Sequence, residues 1–426
     1  MKKSVVSITK GADLAQMVQE VLAPLGGVKS LIKPKSTVVI KPNAGHQGTP
    51  ESSVNTNPEV VAAVIREIRK AGPKEIIVAE SAAIGCDTME CLEISGVLKA
   101  AQEAGADRII DIKSDKNLIS IPIRDSRSDL TRVLLPRFLL EADHIVNLPI
   151  LKSHCSMVFT CALKNIKGTV QDKVHWQMHQ TNLAAAMMDV WSVVKADLTI
   201  ADLIRPAEGY GPHTPLPVDF GCLVASRDPV AIDATICRMI GIDVGIIAYF
   251  EAARERGLGH YAEEDIEVKG RQIKEVYKPL WLPYLEGLGK YKEYKIDATG
   301  ACSSCLALMA LTMENLKALG EYDRHKDVTI LVGRKKNIPE GIDPDKLILV
   351  GDCLKKFRTK GCWAGGCPPG EPFPLWSILD RKEWNDITPD TRDRMAKQQE
   401  LFKEHMLKLK KDWDEMRNKF NQKNNQ

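Results

Sequence analysis

From the N-terminus to about Gly289 the chain alternates short β-branched runs with stretches of helical period, and this alternation restricts the fold more than any other feature. Strands that alternate with helices bury their apolar faces against one another, so the pattern predicts an α/β domain. The opening SVVSITK reads as a first strand. Further strands are predicted at Thr37–Lys41 (TVVIK), Glu75–Ala79 (EIIVA), Arg108–Ile112, His144–Leu148 and Leu198–Ala201. Asn57-Pro58 and Asp228-Pro229 are cap-then-proline pairs, which open helices. The first of these continues to Ala71 before Gly72, the second covers VAIDATICRMIG, and Asn182 to Lys195 reads as another helix.

At 426 residues the chain exceeds what one core usually supports, which predicts at least two domains. The stretch YKPLWLPYLEGLGKYK, Tyr277–Lys292, concentrates proline, glycine and aromatics and reads as the connection. The predicted division is a large α/β domain at 1–289, a small cysteine-rich α/β domain at 290–380 and a charged helical tail at 381–426. In the small domain, strands are predicted at Ile296–Thr299, Val328–Val332 and Leu347–Val350, with a helix at Leu306–Leu319. A segment of this length builds a comfortable core only with help, and a metal centre supplies such help.

Composition excludes several classes. The net charge is +3, so nucleic acid is not a predicted partner. No run approaches the ~18 apolar residues of a membrane span, and the first apolar patch is shorter than the ~7–15 residues of a secretory signal. The expectation is a cytoplasmic protein, in which eleven cysteines serve packing or metal binding rather than disulfides. In the tail, Leu401, Phe402, Met406, Leu407 and Leu409 fall near helical spacing among charges of both signs, as in a solvated helix or a subunit contact, so a homo-oligomer is among the expectations.

The small domain carries Cys302 and Cys305 in ACSSC, Cys353 in VGDC, Cys362 in KGCW and Cys367 in GGCPPG. The first pair follows a predicted strand and precedes a helix, and Cys353 follows another strand. All of these sulfurs are thus predicted along the carboxyl edge of one sheet, where α/β domains place their sites. Four thiolates from a CxxC and later loops suit tetrahedral zinc or a four-iron cluster, and spacing does not choose between them. The two prolines after Cys367 favour a cluster, because they lack N–H donors and stiffen an apolar wall. Cys86, Cys91, Cys155, Cys161, Cys222 and Cys237 sit in apolar or helical settings and read as small buried hydrophobes.

Strand–CSSC–helix, strand–GDC and then GCPPG resembles the proximal-cluster domain of the nickel–iron hydrogenase small subunit and its counterpart in respiratory complex I. The resemblance implies a flavodoxin-like domain and a [4Fe-4S] cluster held by Cys302, Cys305, Cys353 and Cys367. Cys362 lies outside the motif and is the alternative ligand.

Polar residues recur where strands should end: IKPNAG, AES, NLPILKSHCSMVFTCALKNIKG, VHWQMH, IADLIRPAEGYGP and ASRDPVAID. In this order they resemble the family catalogued as domain of unknown function 362. That family implies a fold and a motif set with little assigned chemistry. The residues themselves point to an electropositive pocket for a small anionic substrate, with Lys41, Asn43, Lys164, Asn165 and Lys167 as binding groups. Lys152, His154 and His179 are the candidate proton donors or anion clamps, oriented by Asp202 and Glu208. His175 and His179 stand at i,i+4 spacing with Asp172 nearby, without the Glu of HEXXH. No GxGxxG after a strand and no Walker motif is present, which leaves nucleotide binding unsupported. The expected function is an iron–sulfur oxidoreductase with a redox partner such as ferredoxin. The alternatives are a lyase or isomerase with a structural or Lewis-acid cluster, and a carrier of clusters or metals.

Overall fold

The computed structural model describes residues 3–155, 157–212, 215–367 and 389–424. The chain divides into two compact units: Met1–Lys152, Phe159–Glu208 and Pro215–Leu280 form the first, and Ser153–Val158, Gly209–Thr214 and Trp281–Gln426 the second. The final passage into unit two comes between Leu280 and Trp281. The two earlier excursions have no composition signal and were not anticipated.

Unit one is built on an eleven-stranded mixed sheet. Its principal strands are β1 (Ser4–Lys10), β2 (Thr37–Pro42), β3 (Glu75–Glu80), β4 (Arg108–Asp111), β5 (His144–Leu148), β6 (Ile150–His154), β7 (Leu198–Glu208), β8 (Cys222–Ser226) and β9 (Ile266–Gly270). Across the sheet they stand in the order β9-β1-β8-β7-β5-β2-β3-β4. From β7 to β4 neighbours are parallel, whereas β8 runs against both β1 and β7. The five strands predicted for this region after the first all form, and β7 continues seven residues beyond the predicted Ala201.

The core follows from two periods. Val38 and Ile40, Ile76 and Val78, and Val146 and Leu148 alternate along their strands onto one face. Helix α1 (Pro58–Arg69) meets that face with Val60, Val61, Val64, Ile65 and Ile68, all fully buried. Each such side chain contributes about 1.5–3 kcal/mol on burial. The helix starts where it does because Asn57 caps the Glu59 N–H at 2.9 Å and Pro58 has no N–H to satisfy. The other helices that bear on the site are α2 (Thr88–Ile94), α3 (Ala162–Asn165), α4 (Asp172–His179), α5 (Leu183–Trp191) and α6 (Pro229–Met239).

Unit two holds four parallel strands in chain order: β10 (Lys295–Asp297), β11 (Thr329–Val332), β12 (Leu347–Val350) and β13 (Cys362–Ala364). Helix α7 (Ser303–Ala318) covers one face, where Leu308, Met309, Met313 and Leu316 pack on Ile330, Val332, Ile348, Val350 and Ala364. Leu331, Leu347, Leu349 and Trp363 alternate onto the other face with Leu354. The tail forms a single helix, α8 (Pro389–Asn424), and Phe402 and Met406 are buried in this unit. The tail is therefore not wholly a solvated helix. Glu314 anchors it: this nearly fully buried carboxylate accepts from His405 at 2.8 Å and from the Tyr291 hydroxyl at 2.7 Å. Burial pushes Glu314 up, but the bond from His405, the Lys290 ammonium and the Tyr291 hydroxyl outweigh it and hold the group at about 2.

Candidate functional site

In unit one the parallel register sets Lys41 beside Asn147 at the carboxyl ends of β2 and β5, with Glu80 at the end of β3. Lys41 and Glu80 form an ion pair at 2.7 Å, both essentially without solvent exposure. Glu80 also accepts from the N–H groups of Ala44 at 2.7 Å and Ser81 at 2.8 Å, and Lys41 donates to the Pro42 carbonyl at 2.6 Å. Burial lowers the lysine and raises the carboxyl, and their mutual attraction opposes both shifts. Gly168 closes over the pair: a Cβ there would stand 2.3 Å from Glu80 Oε1 and 2.6 Å from Lys41 Nζ. The glycine of ALKNIKG is thus required for close approach rather than for a turn. Lys41, read from sequence as a substrate-binding group, has its ammonium committed to protein partners.

Lys152 on β6 is equally buried but has no carboxylate in bonding contact. Its ammonium donates to Asn43 Oδ1 at 2.8 Å and to the Val54 carbonyl. Burial, followed by the charges of Lys164 and Lys41, lowers Lys152 to about 7. The amides behind it form a chain. Asn43 donates to Asn165 at 2.9 Å, Asn165 donates to Asn147 at 2.9 Å, and Asn147 donates to the Ala162 carbonyl at 3.0 Å. Asn147 was not singled out from the sequence, although it is the Asn of NLPILKSH.

Lys164, Lys167 and His179 are half-buried around this centre. Lys167 Nζ bonds His179 Nε2, and the Lys167 carbonyl contacts His175 Nε2 at 2.6 Å. Burial, with Lys167 next, lowers His175 to about 3 and His179 to about 2. Both rings are neutral at physiological pH, so the positive character here comes from lysines. His175 Nδ1 and Asp172 Oδ1 are 3.8 Å apart, and Asp172 pairs with Lys113 at 3.0 Å.

Asp202, expected to orient the proton-transfer groups, lies on β7 with both oxygens bound to backbone: Oδ2 to the Asn57 N–H at 2.8 Å and Oδ1 to the Ile204 N–H at 2.9 Å. Burial raises it to about 6. It thereby fixes the start of α1. Asp233 does the same for α3, accepting from Ala162 at 2.8 Å and Leu163 at 3.0 Å, and burial raises it to about 7. Glu208 is buried at the end of β7, opposite Leu216. His154 ends β6, belongs to unit two and is largely buried. A separate open cavity of about 420 Å³ lies in unit one between Thr235 and Arg238 of α6 and Val268, Gln272 and Lys274; none of the expected site residues lines it.

In unit two, Cys302 caps α7, Cys305 lies in its first turn, Cys353 follows β12, and Cys367 follows β13. All four leave the carboxyl edge of the sheet. The thiol of Cys305 bonds the sulfur of Cys302; that bond, together with the N–H groups of Cys305 and Ser304, lowers Cys302 to about 5. The same bond, then burial and the charges of Cys302, Cys367 and Cys353, push Cys305 well up. Burial, then Cys302 and Cys353, raise Cys367 to about 11. Cys305 and Cys367 thus lie within electrostatic reach of one another and of Cys302 and Cys353. Cys362 opens β13 opposite Ile348, two residues back from the strand end at Ala364, about 7 Å at ~3.3 Å per residue. Its register sets it apart from the other four. The prolines after Cys367 lie outside the described residues.

Among the described residues no three His, Cys, Asp or Glu side chains converge to hold a metal ion. The soft, four-thiol donor set at one edge has the chemistry that either zinc or a four-iron cluster takes.

The model of the family described as Domain of unknown function (DUF362) matches residues 38–238. A thylakoid-associated protein from Synechocystis is 30% identical over 261 residues, which cover 60% of this chain and 78% of that protein. Among solved structures, the lactate racemase apoprotein from Thermoanaerobacterium thermosaccharolyticum aligns at 13% identity with a TM-score of 0.36, over 56% of this chain and 57% of that one. A protein from Thermotoga maritima aligns at 15% identity and a TM-score of 0.32, over 59% and 61%. The chain therefore spans less than two thirds of either solved structure. No described helix is long and apolar enough to cross a membrane.

Proposed function

The chain belongs to the family described as Domain of unknown function (DUF362), and we propose that this member is an iron–sulfur oxidoreductase acting on a small anionic substrate. One observation carries the reading: four cysteines from separate points of the sequence, Cys302, Cys305, Cys353 and Cys367, leave the same edge of one small parallel sheet. A [4Fe-4S] cluster held by these residues supplies single-electron transfer, with a donor such as ferredoxin.

Unit one supplies the proton chemistry. Lys164 and Lys167 attract the anion, since the neutral His175 and His179 add no charge of their own. Lys152, held near neutrality by its burial, exchanges a proton at physiological pH, and Asn43 and the Val54 carbonyl fix the direction of its Nζ. Asp202 and Glu208 serve by position rather than by touching substrate.

The test is anaerobic purification of the full chain with iron and acid-labile sulfide analysis. About four irons and four sulfides per chain are expected, while zinc without sulfide sinks the reading. A second reading is favoured by the lowered Lys152: a lyase or isomerase in which the cluster is structural. Redox titration separates them, because a cluster that takes up one electron without loss of the fold is required only by the oxidoreductase.

A further inference from the structure

The structure assigns a different role to two of the cysteines that read as small hydrophobes: we propose that Cys86 and Cys91 form a reversible disulfide. Asp87 caps α2, its Oδ1 accepting from the Glu90 N–H at 2.9 Å. That cap makes Cys86 the residue before the cap and Cys91 the fourth residue of the helix. These are the two positions whose side chains meet across the first turn in a hydrophobic staple. Here both are thiols, and they are hydrogen-bonded to one another.

Their surroundings differ in the way a sequential reaction needs. Cys91 has no solvent exposure, whereas Cys86 is half-exposed. The turn bearing Cys86 is held from below: its N–H bonds the Ala83 carbonyl at 3.0 Å, and the Lys113 ammonium binds the carbonyls of Ala83 at 2.8 Å and Cys86 at 2.9 Å. On the helix side, Thr88 Oγ1 accepts from the Ala82 N–H at 3.2 Å. The turn that carries Cys86 and the first turn of α2 that carries Cys91 are thereby both held in place.

The reaction is thiol–disulfide exchange with a low-molecular-weight disulfide. The Cys86 thiolate attacks one sulfur of the oxidant and expels one thiolate, leaving a mixed disulfide. Cys91 then gives up its proton and attacks the Cys86 sulfur, expelling the second thiolate. The oxidant gains two electrons and two protons to become two thiols, and the protein gains one S–S bond. The hydrogen bond with Cys86, with burial next, raises the Cys91 thiol, so Cys86 rather than Cys91 opens the reaction.

Tryptic peptide 75–99 contains both thiols and no other cysteine. The full chain, kept anaerobic, is exposed to glutathione disulfide, quenched in acid, alkylated and digested. The expected peptide is unalkylated and lighter by two hydrogen atoms, and dithiothreitol restores both alkylation sites. Recovery of a doubly alkylated peptide, or of a lasting glutathione adduct on the wild-type peptide, overturns the proposal. Cys91→Ser should retain the adduct on Cys86. Cys86→Val, which keeps the staple packed, should leave Cys91 fully alkylated. Reaction of Cys91 in that variant at the wild-type rate also overturns the proposal.

Discussion

The polar centre of unit one and the thiol edge of unit two differ in who supplies the partners. Around Lys41, Glu80, Asp202 and Asp233 the protein provides a matching donor or acceptor for the charge, mostly from backbone. At the edge of the small sheet the sulfurs act chiefly on one another, and like groups raise each other's cost of ionisation. A charge that the fold has already answered is structural. The thiols of the edge are answered only in part, Cys302 by Cys305 and nearby N–H groups while Cys305 and Cys367 are raised by the like groups around them, and Lys152 stands between these cases, solvated by dipoles but without a carboxylate bonded to it.

The largest effect should come from the thiol edge. Cys353→Ser or Cys367→Ser is expected to remove iron, sulfide and visible absorbance together, while Cys362→Ser retains them; equal loss in all three would erase the distinction drawn by strand register. Next, Glu80→Ala should destabilise unit one by about 3–5 kcal/mol in urea titration, because it strands a buried ammonium. The double variant Lys41→Met/Glu80→Leu should recover most of that. Recovery of nothing would mean that the pair is needed for more than its own neutralisation.

A third test uses pH. Lys152 has a folded value of about 7 against 10.5 when exposed, so between those values the unfolded chain binds more protons than the native one. Stability therefore rises with pH across that window, and the penalty is full below about 7. Lys152→Met should flatten this rise. A wild-type curve no steeper than the variant's would place Lys152 among the answered charges. The smallest effect is at Glu314, whose lowered value contributes stability above 4.5 that is lost as pH falls toward 2. His405→Ala should cost about 1 kcal/mol and weaken that acid dependence, read by thermal melts across pH 2–6.

The strands were legible because β-branched runs such as TVVIK and EIIVA have no competing helical period, and the cap-proline pairs placed α1 and α6. The expectation that all five sulfurs line the carboxyl edge fails for Cys362, which opens β13, because the short run Cys362–Ala364 carries no strand signal of its own in the sequence. What sequence does not distinguish is a strand-end lysine held by neutral dipoles from one that faces a carboxylate. Lys41 and Lys152 both follow apolar strand residues, and only the arrival of Glu80 from β3 separates them. The partners of Asp202, the N–H groups of Asn57 and Ile204, are likewise illegible in sequence, because backbone groups have no side-chain signature. The staple at Cys86 and Cys91 was open to sequence reading through CDTMEC, but only once Asp87 is known to be the cap.

The two short excursions also bear on heredity and engineering. The chain crosses between units after Lys152, Val158, Glu208, Thr214 and Leu280, so the smaller unit is not a cassette that one cut could release. Residues 281–426 alone would lack the Gly211 carbonyl, to which the Tyr284 hydroxyl donates at 2.6 Å. They would also lack the Tyr210 ring, which stands 5.1 Å from Tyr284, 6.0 Å from Trp281 and 5.6 Å from Phe402. A gene that borrowed the cysteine segment by simple fusion would inherit its thiols without the aromatic knot that seats the tail helix. Transplanting it intact requires taking pieces of three separate stretches at once.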